Sequence, residues 1–153
     1  MSSKNKDPKN LGYEVENHFY DSIKKCSLFE IKSELQLKKQ YGWAFTSIDY
    51  LLITQDGIIP IQIKYRKTRR KEDHFINNYL KSVDELRTIY DKPILFGLWI
   101  SRILPFVDNQ SLLQTRKVDC VSYFYDSKIL IEKSIEYIMQ KMHLRLQTQT
   151  QTI

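Results

Sequence analysis

The sequence is short of the residues that build many small-protein sites. Its two cysteines, Cys26 and Cys120, are far apart, and its three histidines form no cluster with them. A zinc centre therefore has no ligand set here, and two distant thiols are expected to stay reduced and buried. No apolar run approaches the ~20 residues that span a bilayer, which argues against a membrane partner. The first residues, Met1-Ser-Ser-Lys-Asn-Lys-Asp-Pro-Lys9, are polar and carry no apolar core of a secretion signal. A cytoplasmic or nuclear protein is expected, not a secreted one. No internal repeat is present.

What is present is ordinary for one globular domain: 153 residues, 42% hydrophobic and 27% charged. The formal charge of +6 favours a polyanionic partner, although many basic proteins have none.

Residues 1–9 read as a polar tail and the Gln/Thr run 147–153 as a second, with a single domain over 10–146. From Asn10 the apolar positions Leu11, Val15, Phe19, Ile23 and Cys26 predict a helix. On its wheel Glu16 falls inside the apolar arc, while Glu14 joins Asp21 and Lys25 on the opposite face. A carboxylate pointing inward must be paired, protonated or held on a metal. A salt bridge or a boundary position competes with the metal reading.

Residues 28–38 alternate loosely and predict a partly exposed strand; Gln40–Phe45 reads as an aromatic loop at the sheet edge. Phe75, Tyr79, Val83, Leu86 and Tyr90 predict a helix over 72–90. The apolar run 94–100 predicts a buried strand, 101–116 reads as irregular, 118–125 as a strand and 127–146 as a closing helix. The sum is an α/β sandwich around a mixed sheet.

The most informative stretch is 47–64, two apolar runs around Asp56-Gly57, a strong hairpin signal. With Asp56-Gly57 as the loop, Gln55 pairs with Ile58, Leu51 with Gln62, and Asp49 with Lys64. Opposed residues share a face, so Asp49 and Lys64 become neighbours with Gln62 diagonal to them. Tyr50, Leu52, Ile61 and Ile63 then face a core. Pro60 has no donor and predicts a bulge or an unpaired stretch.

Phosphodiester hydrolysis needs a cation to polarise the phosphate and acidify a water, oxygen ligands to hold it, and a positive group to orient the water. Mg²⁺ is content with one or two carboxylates plus waters and substrate oxygens. Asp49, the Gln62 side-chain oxygen and the Ile63 main-chain carbonyl are candidate ligands, with Glu16 completing the set. Lys64 is the candidate for holding the water. The basic run Arg66, Lys67, Arg69, Arg70 and Lys71 is the candidate phosphate contact, although such runs are more often solvated surface. Tyr41, Trp43 and Tyr65 are candidates for base stacking. An ordinary cross-strand ion pair between Asp49 and Lys64 is the competing reading.

Asp49 followed by Gln62-Ile-Lys64 closing a hairpin, then a helix and a buried strand, resembles the PD-(D/E)xK nuclease superfamily in its QxK variant. Gly12-Tyr-Glu-Val-Glu16 is similar to the G-x-x-x-E of the first helix in archaeal Holliday junction resolvases and related Mrr-like nucleases. The resemblance spans residues 10–101. It implies a restriction-endonuclease-like αβββαβ core, here with an additional C-terminal strand and helix. It also implies Mg²⁺-dependent endonuclease action on DNA, with Mn²⁺ as a substitute, and catalytic roles for Glu16, Asp49, Gln62 and Lys64. A resolvase spans two equivalent strands, so a homodimer is implied as well, with strand 94–100 or the following segment as its interface.

Two departures stand out. Ile48 sits where the family pattern often has Pro, and Gln62 replaces the middle acid, removing a negative charge from the ion site. The second leaves an alternative open, an inactive nuclease fold that binds DNA or acts as a scaffold. An α/β protein-interaction module without a nucleic-acid role is the third reading.

Overall fold

The structure, a computed structural model, describes residues 8–26, 28–42, 47–66, 71–123 and 126–151, with the side chains of 8–13 and 144–151 outside that description. Ten elements follow one another: α1 (Pro8–Lys24), β1 (Glu30–Ser33), α2 (Glu34–Tyr41), β2 (Tyr50–Ile53), β3 (Ile58–Lys64), α3 (Glu72–Ile89), β4 (Gly97–Ser101), α4 (Val107–Thr115), β5 (Val118–Ser122) and α5 (Ser127–Gln151). The strands form one open sheet in sequence order, antiparallel across β1, β2 and β3 and parallel across β3, β4 and β5.

Both faces of the sheet are covered, which is why β3 is apolar almost throughout. On one face Tyr50, Leu52, Ile59, Ile61, Ile63, Leu98 and Ile100 pack against Val15, Phe19 and Ile23 of α1 and Leu130, Ile131 and Ile138 of α5. On the other, Leu51, Ile53, Ile58, Trp99 and Val118 pack against Leu37 of α2, five residues of α3 and Leu113 of α4. Among the described residues no helix is long and apolar enough to cross a membrane.

The expected mixed α/β architecture is present, with several boundaries moved. Residues 28–38 are not one strand. Ser33 caps a helix instead: its hydroxyl accepts from Gln36 N–H, and the Gln36 side chain accepts from Ser33 N–H. That reciprocal cap is written in the sequence as Ser-x-x-Gln. The stretch expected to be irregular, 101–116, contains α4. The strand expected over 94–100 starts at Gly97, with Ile94 making an isolated bridge to Ile58, and the last strand ends at Ser122. The backbone of α5 continues past 146 to Gln151, since a Gln/Thr run without Gly or Pro has nothing to stop a helix. Pro8 opens α1 two residues before the expected Asn10; Pro is tolerated in a first turn, where the N–H has no partner anyway.

The hairpin register differs by two residues. Leu52 pairs with Ile59 and Ile53 with Ile58, so the loop is Gln55-Asp56 and not Asp56-Gly57. Thr54 organises it: its hydroxyl accepts from Asp56 N–H (3.2 Å) and Gly57 N–H (3.1 Å), and its own N–H donates to Gly57 O (2.8 Å). Gly57 serves close approach. A Cβ there would stand 2.5 Å from Pro93 O.

The interruption expected at Pro60 falls on the β4 side. The Tyr79 hydroxyl fills it, donating to Pro60 O (2.7 Å) and accepting from Leu98 N–H (3.1 Å). Gly97 makes this possible, because a Cβ there would lie 2.7 Å from that hydroxyl. β4 itself is enclosed between β3 and β5 and cannot supply the dimer surface expected of strand 94–100.

Tyr79→Phe would strand a buried carbonyl and a buried N–H, and a loss of about 2–4 kcal/mol is expected in urea unfolding. A loss under about 0.5 kcal/mol would show that the hydroxyl is not a structural link.

Candidate active site

The site forms where β2 and β3 part company. The ladder ends at Tyr50↔Ile61. One residue earlier, Asp49 keeps its main chain in place by donating N–H to Ile61 O (2.9 Å) and accepting from Glu34 N–H (3.0 Å). Its carboxylate turns inward, and Oδ2 accepts from Ile63 N–H at 2.8 Å. Asp49 is only 9% exposed. A buried carboxylate needs such a donor, because leaving it unpaired would cost several kcal/mol.

With the observed register, Asp49 stands across from Gln62, and Lys64 is the diagonal neighbour; the directly opposed Asp49–Lys64 pair is not formed. The difference preserves the face, since it is a shift by two. Gln62 is 3% exposed. Its amide nitrogen donates to Ser47 O (2.5 Å) and its amide oxygen accepts from Lys64 Nζ (3.2 Å), the orientation that satisfies both groups. Gln62 thus holds the ammonium in place. Lys64 Nζ also lies 4.1 Å from the centre of the Phe75 ring, and the Arg66 guanidinium lies 4.3 Å from the same ring.

Glu16 arrives from α1. Val15, Phe19 and Ile23 seat that helix on the sheet, and the Tyr50 hydroxyl donates to Glu16 O at 3.1 Å. Glu14 is exposed while Glu16 is half-buried, and the Glu16 carboxyl shares a hydrogen bond with that of Asp49. Burial, then the neighbouring Glu16 charge, holds the Asp49 carboxyl well above the usual carboxylate range, against the pull of the Ile63 N–H and Lys64. Burial likewise raises Glu16. Lys64 is lowered by burial, with Asp49 and Glu16 opposing the shift. Two carboxyls that close share a proton until a cation replaces it.

Among the described residues no three His, Cys, Asp or Glu side chains gather to hold a metal ion. The donor set is two carboxyls and the Gln62 amide oxygen, whose second lone pair is left by Lys64. That is too little for a full protein cage and sufficient for Mg²⁺, which keeps most of its waters. Ile63, offered for its carbonyl, contributes its N–H to Asp49, and its side chain lies in the core.

Of the basic run, Arg66 and Lys71 are exposed, and Lys67, Arg69 and Arg70 lie outside the described residues, as does Trp43. Tyr41 packs beside Tyr90 and Tyr65 beneath Arg102, so both rings are engaged in packing.

Sequence reasoning missed Glu34. It begins α2, its N–H is bonded to Asp49 O, and its charge acts on Glu16, Asp49 and Lys64, although its carboxylate is paired with Lys38 at 2.7 Å. The Ser33-x-x-Gln36 capping box was the signal that would have placed it. The carbonyl of Ser47, which holds Gln62, had no signal at all.

Comparison with protein-family models, curated proteins and solved structures finds no match for this chain.

The raised carboxyls make stability fall with pH. Folded Asp49 and Glu16 keep protons at pH values where the unfolded chain has released them. Their contribution is complete below the unfolded pKa and is lost as pH climbs through the folded values. In a chelator, urea midpoints of the wild type should decline over that interval, and Asp49→Asn should gain on it. Parallel pH curves for the two proteins would contradict the assignment.

Proposed function

We propose that this protein is a Mg²⁺-dependent endonuclease that hydrolyses DNA phosphodiester bonds, with a restriction-endonuclease-like core and a QxK site similar to that of the PD-(D/E)xK superfamily. The observation that carries the reading is the meeting of Glu16, Asp49, Gln62 and Lys64 from three elements at one point, where β2 and β3 separate. Separately, an inward acid, a buried acid or a buried lysine has structural explanations. Together they supply the oxygen donors and the cation that this hydrolysis requires.

In this reading Asp49 and Glu16 hold Mg²⁺, with Mn²⁺ as a substitute, and the Gln62 oxygen is the neutral donor. The bound cation polarises the phosphate and acidifies water. Lys64 Nζ donates hydrogen bonds to the attacking water and to the phosphate oxygen where charge develops. The Gln62 amide and the Phe75 ring aim that ammonium, so it need not be reorganised during the reaction. Arg66 and Lys71, with Lys67, Arg69 and Arg70, contact the DNA backbone and make affinity salt-dependent. Branched or otherwise structured DNA is the proposed substrate class, cut by a homodimer in a cytoplasmic or nuclear compartment.

One observation favours a second reading. Gln62 is engaged at both ends of its amide and brings no charge to the ion site. An inactive nuclease fold that binds DNA or serves as a scaffold would have the same geometry with a weaker cation site.

Incubation of the purified protein with Mg²⁺ or Mn²⁺ and four-way, flap or linear DNA separates the two. Cleavage is expected, and Lys64→Ala should reduce it by about 10²–10³-fold, the usual cost of removing one preorganised donor. Salt-sensitive binding without products would establish the second reading, and equal cutting by Lys64→Ala would exclude the proposed mechanism.

A further inference from the structure

Half of the large apolar side chains exposed among the described residues fall within four positions: Leu104 (49% exposed), Phe106 (51%) and Val107 (75%). They occupy the segment between β4 and α4, on the same end of the sheet as the site. Arg102 N–H donates to Lys64 O at 3.3 Å, directly linking this segment to the strand that carries the catalytic lysine.

The segment is built to hold these side chains outward. Pro105 is buried, and its carbonyl accepts from the Gln110 side chain at 2.6 Å. Phe106 N–H donates to Glu72 Oε2 at 3.1 Å, and Asn109 bonds both Glu72 and Asp73 at the start of α3. Ser101 Oγ donates to Ile103 O at 2.8 Å. The apolar tips therefore project from a braced turn that is tied to the same helix whose Phe75 ring holds Lys64 and Arg66.

We infer that Leu104, Phe106 and Val107 form a wedge that receives unpaired bases of a nucleic acid, with Phe106 as the stacking face. This deepens the nuclease reading and rests on it. Two considerations choose this occupant. The flanking charges, Arg66, Lys71 and Arg102, suit a phosphate backbone, and the nearby acids Glu72 and Asp73 are bonded to Asn109. Asp108, exposed beside Val107, marks the side along which a backbone does not run. Three side chains also fall well short of the ~800 Å² per partner that a stable protein–protein contact buries. An aromatic ring among cations is the usual platform for single-stranded bases, and it is tolerant of sequence. A wedge of this kind would select DNA that exposes bases, such as a gap, a fork or a junction, over uniform duplex.

The test is binding in a chelator, so that nothing is cut, at ~50 mM salt where backbone contacts are retained. Fluorescence anisotropy would compare a single strand, a gapped duplex and an intact duplex of the same sequence. A 2-aminopurine placed in the gap would report stacking. Phe106→Ala is expected to weaken the single-stranded and gapped ligands about tenfold, to leave intact duplex within about twofold, and to abolish the 2-aminopurine quenching. Phe106→Tyr, which keeps the ring, should behave as wild type. Equal affinities of wild type and Phe106→Ala for the gapped ligand would overturn the inference while leaving the nuclease reading in place. So would a uniform loss on all ligands, or a wild-type dimer that Phe106→Ala converts to monomer in sedimentation, which would make the patch a contact between copies. No binding of any DNA by the wild type would overturn both.

Discussion

The hydrogen bond from Ile63 N–H to the Asp49 carboxylate decides the character of this molecule. Had β2 continued to pair with β3, that N–H would have belonged to the ladder, and the sheet would have closed over the place where the site now lies. Instead a side chain takes the donor's bond, the strands separate, and room opens at the end of a central strand. The gap is narrow and dry, so each polar group entering it must bring a partner. Glu16 shares a hydrogen bond with Asp49, and Gln62 links Ser47 to Lys64. The shifts of Asp49, Glu16 and Lys64 share one leading cause, burial, and the opposed charges only moderate it.

The rest of the fold holds this gap in position. α1 is fixed by its apolar face and by the Tyr50 hydroxyl, which sets Glu16 at the height of Asp49. α3 serves two ends of the sheet: Tyr79 repairs the ladder at Pro60, and Phe75 one turn earlier supports Lys64. Burial elsewhere has quieter results. Cys120 is pushed up to about 11, mainly by burial, so its thiol stays protonated and unreactive at neutral pH. Asp119 beside it is bonded to Tyr137 and Lys141, which fastens α5 to the edge strand β5.

What the sequence made legible follows from what periodicity can encode. The inward turn of Glu16, the exposure of Glu14, the two-sided burial of β3 and the mixed α/β order all rest on spacing, and spacing is local. The hairpin register was misjudged because Asp-Gly was given the role of the turn. The Thr54 hydroxyl sets the turn one residue earlier, and Gly57 answers a tertiary demand, the approach of Pro93. The site survived that error only because a shift of two keeps each side chain on its face. Helix α2 was legible in Ser33 and Gln36 and was overridden by a loose alternation. The role of Gln62 as the support of Lys64 was not legible, since it depends on a carbonyl, Ser47, that no side-chain pattern announces.

The central claim is that Glu16, Asp49, Gln62 and Lys64 make one cation site, and it is tested most directly by locating a cation. Crystals grown with Mn²⁺ and measured for its anomalous scattering should show one peak at the parting of β2 and β3, about 2.2 Å from carboxylate oxygens of Asp49 and Glu16, with Lys64 Nζ in its outer sphere. No peak there at millimolar Mn²⁺, or a peak bound elsewhere with the Glu16 and Asp49 carboxyls still joined to each other, would contradict it.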